Sequence, residues 1–129
     1  SLYSVDISPE SIAGAREVVD ELDLMEQVKL VTGDSVQFLE NFTDPVDFLY
    51  LDSYDYDKHD ISVQVASQEH HLKEFLAIEE QLGPKSIVLI DDCALPGGGK
   101  GKSVIEYMTR KGWQVDTATY QVLLTKSTI

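Results

Sequence analysis

At 129 residues the chain suits a single domain, one able to bury about two-thirds of the surface its unfolded form exposes. Its 23 acids against 10 bases give a formal charge of -13, which repels nucleic-acid phosphates and anionic membranes and disfavours polyanionic partners. The lone cysteine, Cys93, excludes an internal disulfide and points to a reduced, cytoplasmic setting, and no apolar run approaches the roughly 20 residues that cross a bilayer.

Taken in order, Leu2 to Val5 reads as a strand that stops at Asp6. Ser8 and Pro9 then suit a helix cap and first turn, and Ile12, Ala15, Val18, Val19 and Leu22 recur at helical spacing. A helix is predicted from about Pro9 to Leu22. Val28 to Val31 is the second strand, followed by Thr32-Gly33-Asp34-Ser35, where Ser35 is the expected cap of a short helix through about Asn41. Val46 to Leu51 is the third strand and ends at Asp52. Ser53 to Asp60 is polar and tyrosine-rich, a loop of functional length. A long helix is predicted over about Val65 to Leu82, closed by Gly83-Pro84.

The fourth strand, Ile87-Val88-Leu89-Ile90, is apolar throughout and reads as buried on both faces; the doublet Asp91-Asp92 closes it. A glycine-rich loop, Pro96 to Gly101, leads into a helix over Ser103 to Lys111. Trp113 to Thr119 and Tyr120 to Thr125 follow as strands so closely linked that only an antiparallel hairpin fits. The whole is a β-α-β-α-β-α-β-α-β-β chain, an α/β fold with a mainly parallel sheet and an antiparallel C-terminal hairpin.

Asp6, Asp34, Asp52 and the Asp91-Asp92 doublet put an acid after each of four consecutive parallel strands. In an open α/β sheet ligands bind beyond that carboxyl edge, so the acids stand where chemistry is expected. Taken singly, each also suits a helix cap or a solubilising loop residue, Asp34 most of all. Cys93 has no nearby His or Lys to activate it and reads as structural. His70 and His71, adjacent on a helix, face different ways and make poor joint metal ligands.

Tyr3 to Glu10, Val31 to Ser35, Phe48 to Asp52, Ile87 to Asp92 and the closing hairpin from Gly112-Trp113 resemble the class I S-adenosylmethionine-dependent methyltransferases, with their Rossmann-like sheet, from that family's second strand to its last. The resemblance implies that Asp6 binds the ribose hydroxyls, that Ile7 lies against the adenine, and that Asp34 with Ser35 reaches the adenine edge. An acceptor-only carboxylate suits a vicinal diol. Asp52, Asp91 and Asp92 resemble the metal site of the cation-dependent O-methyltransferases, with Asp52 also beside the cofactor. Three hard oxygen donors suit Mg2+ or another divalent cation, and unneutralised carboxylates about 4 Å apart repel by roughly 4 kcal/mol per pair at an effective dielectric near 20.

The resemblance breaks in two places. The family's glycine-rich turn after its first strand has no counterpart here, and the lysine base expected three residues after the first metal aspartate is Asp55. Asp55 and His59 are the candidate bases. The family's central first strand also has no sequence, so its slot is expected to be filled by a longer parent chain or a second copy in a homo-oligomer, or else closed by direct pairing of the Leu2–Val5 and Val46–Leu51 strands. Two other readings compete with the enzyme: a methyltransferase-like fragment or subunit without activity, and a P-loop-like nucleotide binder built on Pro96 to Ser103. That loop has Pro96 where a P-loop needs its first glycine, and a mobile rim with available lysines is the preferred reading.

Overall fold

The structure, a computed structural model, describes residues 1–126. It runs β1 (Leu2–Asp6), α1 (Pro9–Glu21), β2 (Val28–Thr32), α2 (Ser35–Glu40), β3 (Val46–Leu51), α3 (Ile61–Ile78), β4 (Leu82–Ile90), α4 (Lys102–Arg110), β5 (Trp113–Ala118) and β6 (Val122–Lys126). The expected α/β order is present. The chain is laid out as two compact units, Ser1–Phe42 and the residues from Thr43 onward.

In the first unit β1 and β2 pair in parallel, from Leu2 opposite Val28 to Asp6 opposite Thr32, so their carboxyl ends lie side by side. Ser8 caps α1 by accepting the Ser11 N–H at 3.2 Å, with Pro9 in the first turn, where its missing N–H costs nothing. The cap of α2 is Asp34 and not Ser35. Its Oδ1 takes the Gln37 N–H at 3.1 Å, one of the donors a helix start leaves free. Tyr3, Phe38 and Phe42 form an aromatic cluster with ring centroids 5.0 to 6.1 Å apart.

The second unit is a four-stranded sheet in the order β3-β4-β6-β5, parallel between β3 and β4 and antiparallel elsewhere. The antiparallel hairpin is as expected, with β6 inserted between β4 and β5. Leu49, Leu51, Val88, Ile90, Val122 and Leu124 are buried on one sheet face, together with Phe75 and Ile78 of α3 and Val104 and Met108 of α4. Phe75 stands edge-on to both Tyr107 and Trp113, each 6.0 Å away. β4 is therefore buried on one face only: Val88 and Ile90 are sealed, while Ile87 is 36% exposed. The alternation follows from the period of two, with both helices of this unit belonging to the sealed side.

The long helix departs from expectation at both ends. It starts at Ile61 because the Asp60 carboxylate accepts the N–H groups of Ser62 and Val63, and it ends at Ile78 in a short 3-10 turn, Glu79–Gln81. Gly83 and Pro84 lie inside β4 and do not stop the helix. The ladder shifts register there, passing from Val46–Leu82 directly to Phe48–Ile87, and proline is tolerated at such an irregularity because no ladder bond needs its nitrogen. Ser86 bridges the gap, its Oγ accepting the Gly83 N–H at 2.8 Å and donating to the Val46 carbonyl at 2.6 Å.

Among the described residues the strands form two sheets, β1 with β2 and β3-β4-β6-β5. No described helix is long and apolar enough to cross a membrane.

Candidate active site

In the first unit the parallel register brings Asp6 and Asp34 to one edge, and the Gly33 N–H donates to the Asp6 carbonyl at 2.9 Å. The Asp6 Oδ1 accepts the Ser8 N–H at 2.8 Å; its other oxygen takes no partner among the described residues. Ile7, next to it, is 75% exposed. A carboxylate oxygen beside an open apolar surface fits the ribose and adenine of a nucleoside. Asp34 is engaged as the cap of α2, and Ser35 begins that helix.

In the second unit β3 and β4 end together, with Leu51 opposite Ile90 and the Asp91 N–H donating to the Leu51 carbonyl at 3.2 Å. That pairing puts Asp52, Asp91 and Asp92 at one edge. Asp92 holds a left-handed backbone, φ 54°, and its N–H folds back on the Asp91 carboxylate at 2.8 Å. Such a conformation is uncommon for a residue other than glycine and is held only where the surroundings fix it.

The surroundings here are the glycine loop. Lys100, only 5% exposed, sets its ammonium 3.0 Å from Asp52 Oδ1 and 3.0 Å from Asp92 Oδ2. Asp91 turns instead to Tyr50, whose hydroxyl donates to its Oδ2 at 2.5 Å and lies 3.4 Å from Asp52 Oδ2. Burial opposes charging the Lys100 amine, but the two carboxylates outweigh it and raise the pKa. Burial likewise raises Asp92, yet hydrogen bonds from Tyr120 and Lys100 leave it below the usual carboxylate range. The Asp91 hydrogen bond, with burial and the neighbouring carboxylates, pushes Tyr50 well above an ordinary phenol, so its proton stays on. Burial pushes the Cys93 thiol up to about 11, in keeping with its structural reading.

The expected three-carboxylate ligand set does not fit a divalent ion as these residues stand. Two of the three hold a lysine, the third holds a tyrosine, and among the described residues no group of three His, Cys, Asp or Glu side chains is arranged to hold a metal. The repulsion that called for a cation is met from within the chain. Asp55 and His59 are exposed on the loop before α3, and neither side chain is hydrogen-bonded to the acid cluster.

The glycine loop is tied to its surroundings by hydrogen bonds. Gln68 Nε2 donates to the carbonyls of Gly97 and Gly99 at 3.0 and 3.1 Å, Tyr56 donates to that of Pro96, and the Lys100 N–H goes to the Asp92 carbonyl at 3.0 Å. A phosphate-binding loop needs its lysine turned outward, whereas Lys100 is turned inward onto Asp52 and Asp92. Gly99 is required: at φ 69° a Cβ would stand 2.5 Å from the Cys93 carbonyl and 2.6 Å from that of Asp92. Beneath the loop, the buried His71 ring ties α3 to the end of β3, accepting the Ser53 N–H on Nε2 at 3.1 Å and donating from Nδ1 to the Ser67 carbonyl at 2.7 Å. Burial, only partly offset by that carbonyl, depresses its pKa and keeps it neutral.

A family profile described as a methyltransferase domain matches residues 1–93. The chain belongs to that family. It is a class I S-adenosylmethionine-dependent methyltransferase domain by family and by fold. No curated protein matches it in sequence. Among solved structures it is similar to a Staphylococcus aureus protein provisionally assigned as a caffeoyl-CoA O-methyltransferase, with TM-score 0.69 and 13% identity over 95% of this chain and 62% of that one. The SAH-bound Podospora anserina methyltransferase PaMTH1 gives 0.65 and 16%, covering 97% and 60%. An rRNA methylase from Streptococcus thermophilus gives 0.64 and 14%, covering 98% and 73%. The methyltransferase chain thus spans about three-fifths of the length of the first two.

Sequence reasoning missed Lys100, Tyr50 and His71 in and beneath this acidic mouth. Tyr50 had a signal, since two residues before Asp52 on a strand it shares the face of that acid. Lys100 had a weaker one, a base between two glycines just after an acidic doublet. His71 had none in the apolar pattern, because the buried residues in the first half of α3, Gln64, Ser67, Gln68 and His71, are polar.

Proposed function

We propose that this methyltransferase domain transfers a methyl group from S-adenosylmethionine to an oxygen of a small-molecule acceptor. The adenosine part of the cofactor is read onto Asp6 and Ile7, with Asp34 and Ser35 at the adenine edge, and the acceptor onto the acidic mouth of Asp52, Asp91 and Asp92. The observation that carries this reading is the exposed Ile7 beside a carboxylate oxygen that takes no partner among the described residues, in a chain of an S-adenosylmethionine-dependent family.

When bound, the cofactor supplies an electrophilic methyl on a sulfonium. The chain would orient the acceptor hydroxyl and take its proton. Tyr50, which keeps its own proton, is a donor in the mouth, and the carboxylates beside it are the acceptors of a hydroxyl hydrogen. Asp55 and His59 stay as alternative bases on the preceding loop. The net charge of -13 favours a small acceptor over RNA despite the similarity to an rRNA methylase. A divalent cation at Asp52, Asp91 and Asp92 would require Lys100 to withdraw.

Titration with S-adenosylhomocysteine by calorimetry tests the reading. Binding that weakens by roughly 1 to 3 kcal/mol in Asp6→Ala is expected, the cost of leaving ribose hydroxyls unpaired. Unchanged affinity removes Asp6 from the site, and no binding by the unaltered chain favours a non-catalytic domain.

A further inference from the structure

The acid mouth of the second unit holds three carboxylates and one ammonium, and the ammonium is built in. Lys100 has its Nζ 3.0 Å from an oxygen of Asp52 and 3.0 Å from one of Asp92, so both carboxylates converge on a single point of positive charge. Its backbone is held as firmly as its tip. The Lys100 N–H bonds the Asp92 carbonyl at 3.0 Å, Gly99 leaves no room for a Cβ against the Asp92 and Cys93 carbonyls, and the buried Gln68 clamps the loop through the Gly97 and Gly99 carbonyls. The next lysine, Lys102, is exposed and makes no such contact. A lysine ordered at both ends and 5% exposed is not a solvated arm that happens to rest on an acid.

We propose that Lys100 is the resident cation of this mouth, standing at the point where Asp52 and Asp92 would otherwise hold a divalent ion, and that the site works with the lysine in place of a metal. The physical requirement for a cation among the acids is the same in both cases; only the source of the charge differs. An ammonium of single charge, held by two hydrogen bonds, neutralises part of the cluster and fixes the directions of Asp52 and Asp92. Lys100 is thus a positioning residue for the two carboxylates. The proposal concerns the mouth whatever the acceptor is, and only its consequence, metal-independent methyl transfer, rests on the function proposed above.

Manganese binding to the full 129-residue chain, followed by electron paramagnetic resonance without cofactor, tests it. The unaltered chain is expected to bind Mn2+ weakly, and Lys100→Met at least about tenfold more tightly, since two carboxylates that lose their ammonium suit a hard cation. Asp92→Asn added to Lys100→Met should abolish the gain, and Lys100→Arg should keep the metal out. If Lys100→Met does not fold alone, the same logic requires Mn2+ to restore its thermal transition. Equal Mn2+ affinity in the unaltered chain and Lys100→Met, a gain that survives Asp92→Asn, or an unfolded Lys100→Met that Mn2+ does not rescue would each overturn the proposal. Because no cofactor is present, failure to bind S-adenosylhomocysteine leaves this experiment untouched.

Discussion

The two units carry the same device, acids at the ends of neighbouring parallel strands, and satisfy it in opposite ways. In Ser1–Phe42 the partners are local: Asp6 takes the N–H of Ser8 and Asp34 that of Gln37, two and three residues away. In the second unit they are distant: Asp52 meets Lys100 and Asp91 meets Tyr50, 48 and 41 residues away. Local partners leave an acid open to a ligand at little cost to the fold. Distant ones make the acid part of the fold itself. The cores differ in the same sense, since among the described residues Ile12 alone of the buried apolar residues belongs to the first unit, while Leu2, Val18 and Leu22 there are more than half exposed.

The sharpest test of that contrast is in the cores. Phe75→Ala removes a fully buried ring packed on Tyr107 and Trp113 and should cost about 4 kcal/mol, whereas Ile12→Ala should cost about 2 kcal/mol, the low end for its type. Urea unfolding followed by far-UV circular dichroism measures both. Equal losses would mean that the first unit is packed as well as the second.

A smaller effect separates the two loops that follow the strands. Gly99→Ala, with a left-handed backbone and two carbonyls in the way, should cost about 3 kcal/mol; Gly33→Ala, with nothing within 4 Å of the new carbon, should stay within about 0.5 kcal/mol of the original. Thermal melts of the two variants would show whether the second mouth is the rigid one. A tolerated alanine at Gly99 would undo that distinction.

The smallest expected effect is a pH dependence. His71 is neutral in the folded chain and its pKa is lowered by burial, so below its ordinary value near 6.5 the unfolded chain binds the extra proton. Stability should therefore be fully present above about pH 6.5 and fall as the pH drops, by at most about 1.4 kcal/mol per pH unit, until the folded-state pKa is reached. The depressed Asp92 acts in a separate, more acid window, its contribution lost as the pH falls below the ordinary carboxylate range. Melting temperatures from pH 7.5 to 5 should decline in the unaltered chain and flatten in His71→Gln. A flat profile in both would show the ring not to be held neutral.

Much of the fold was legible because its signals are local. Apolar runs placed all six strands, Ser8-Pro9 placed the start of α1, and the short link after Thr119 required an antiparallel hairpin. The errors came where a local rule had a competitor next door or an unusual face. Ser35 lost the cap to Asp34, whose longer reach meets the Gln37 N–H from one residue upstream. α3 was placed late because the side chains it buries in its first half, Gln64, Ser67, Gln68 and His71, recur at helical spacing but are polar, so an apolar pattern does not register them. Gly83-Pro84 reads as a stop in any helix pattern, yet a register shift in the ladder lets β4 run through it.

By itself the sequence determined the order of elements, the acids at the strand ends and the family, since each depends on residues within a few positions of one another or on the spacing of short motifs. Only the tertiary structure decided what those acids do to one another. Whether Asp52 and Asp92 share a metal or a lysine turns on where one side chain, 48 residues downstream of Asp52, comes to rest, and that is set by Gly99, Gln68 and the Asp92 backbone acting together. A charge needs a partner wherever it is buried, and the chain's linear order does not say which of its opposite charges will be within 3.0 Å.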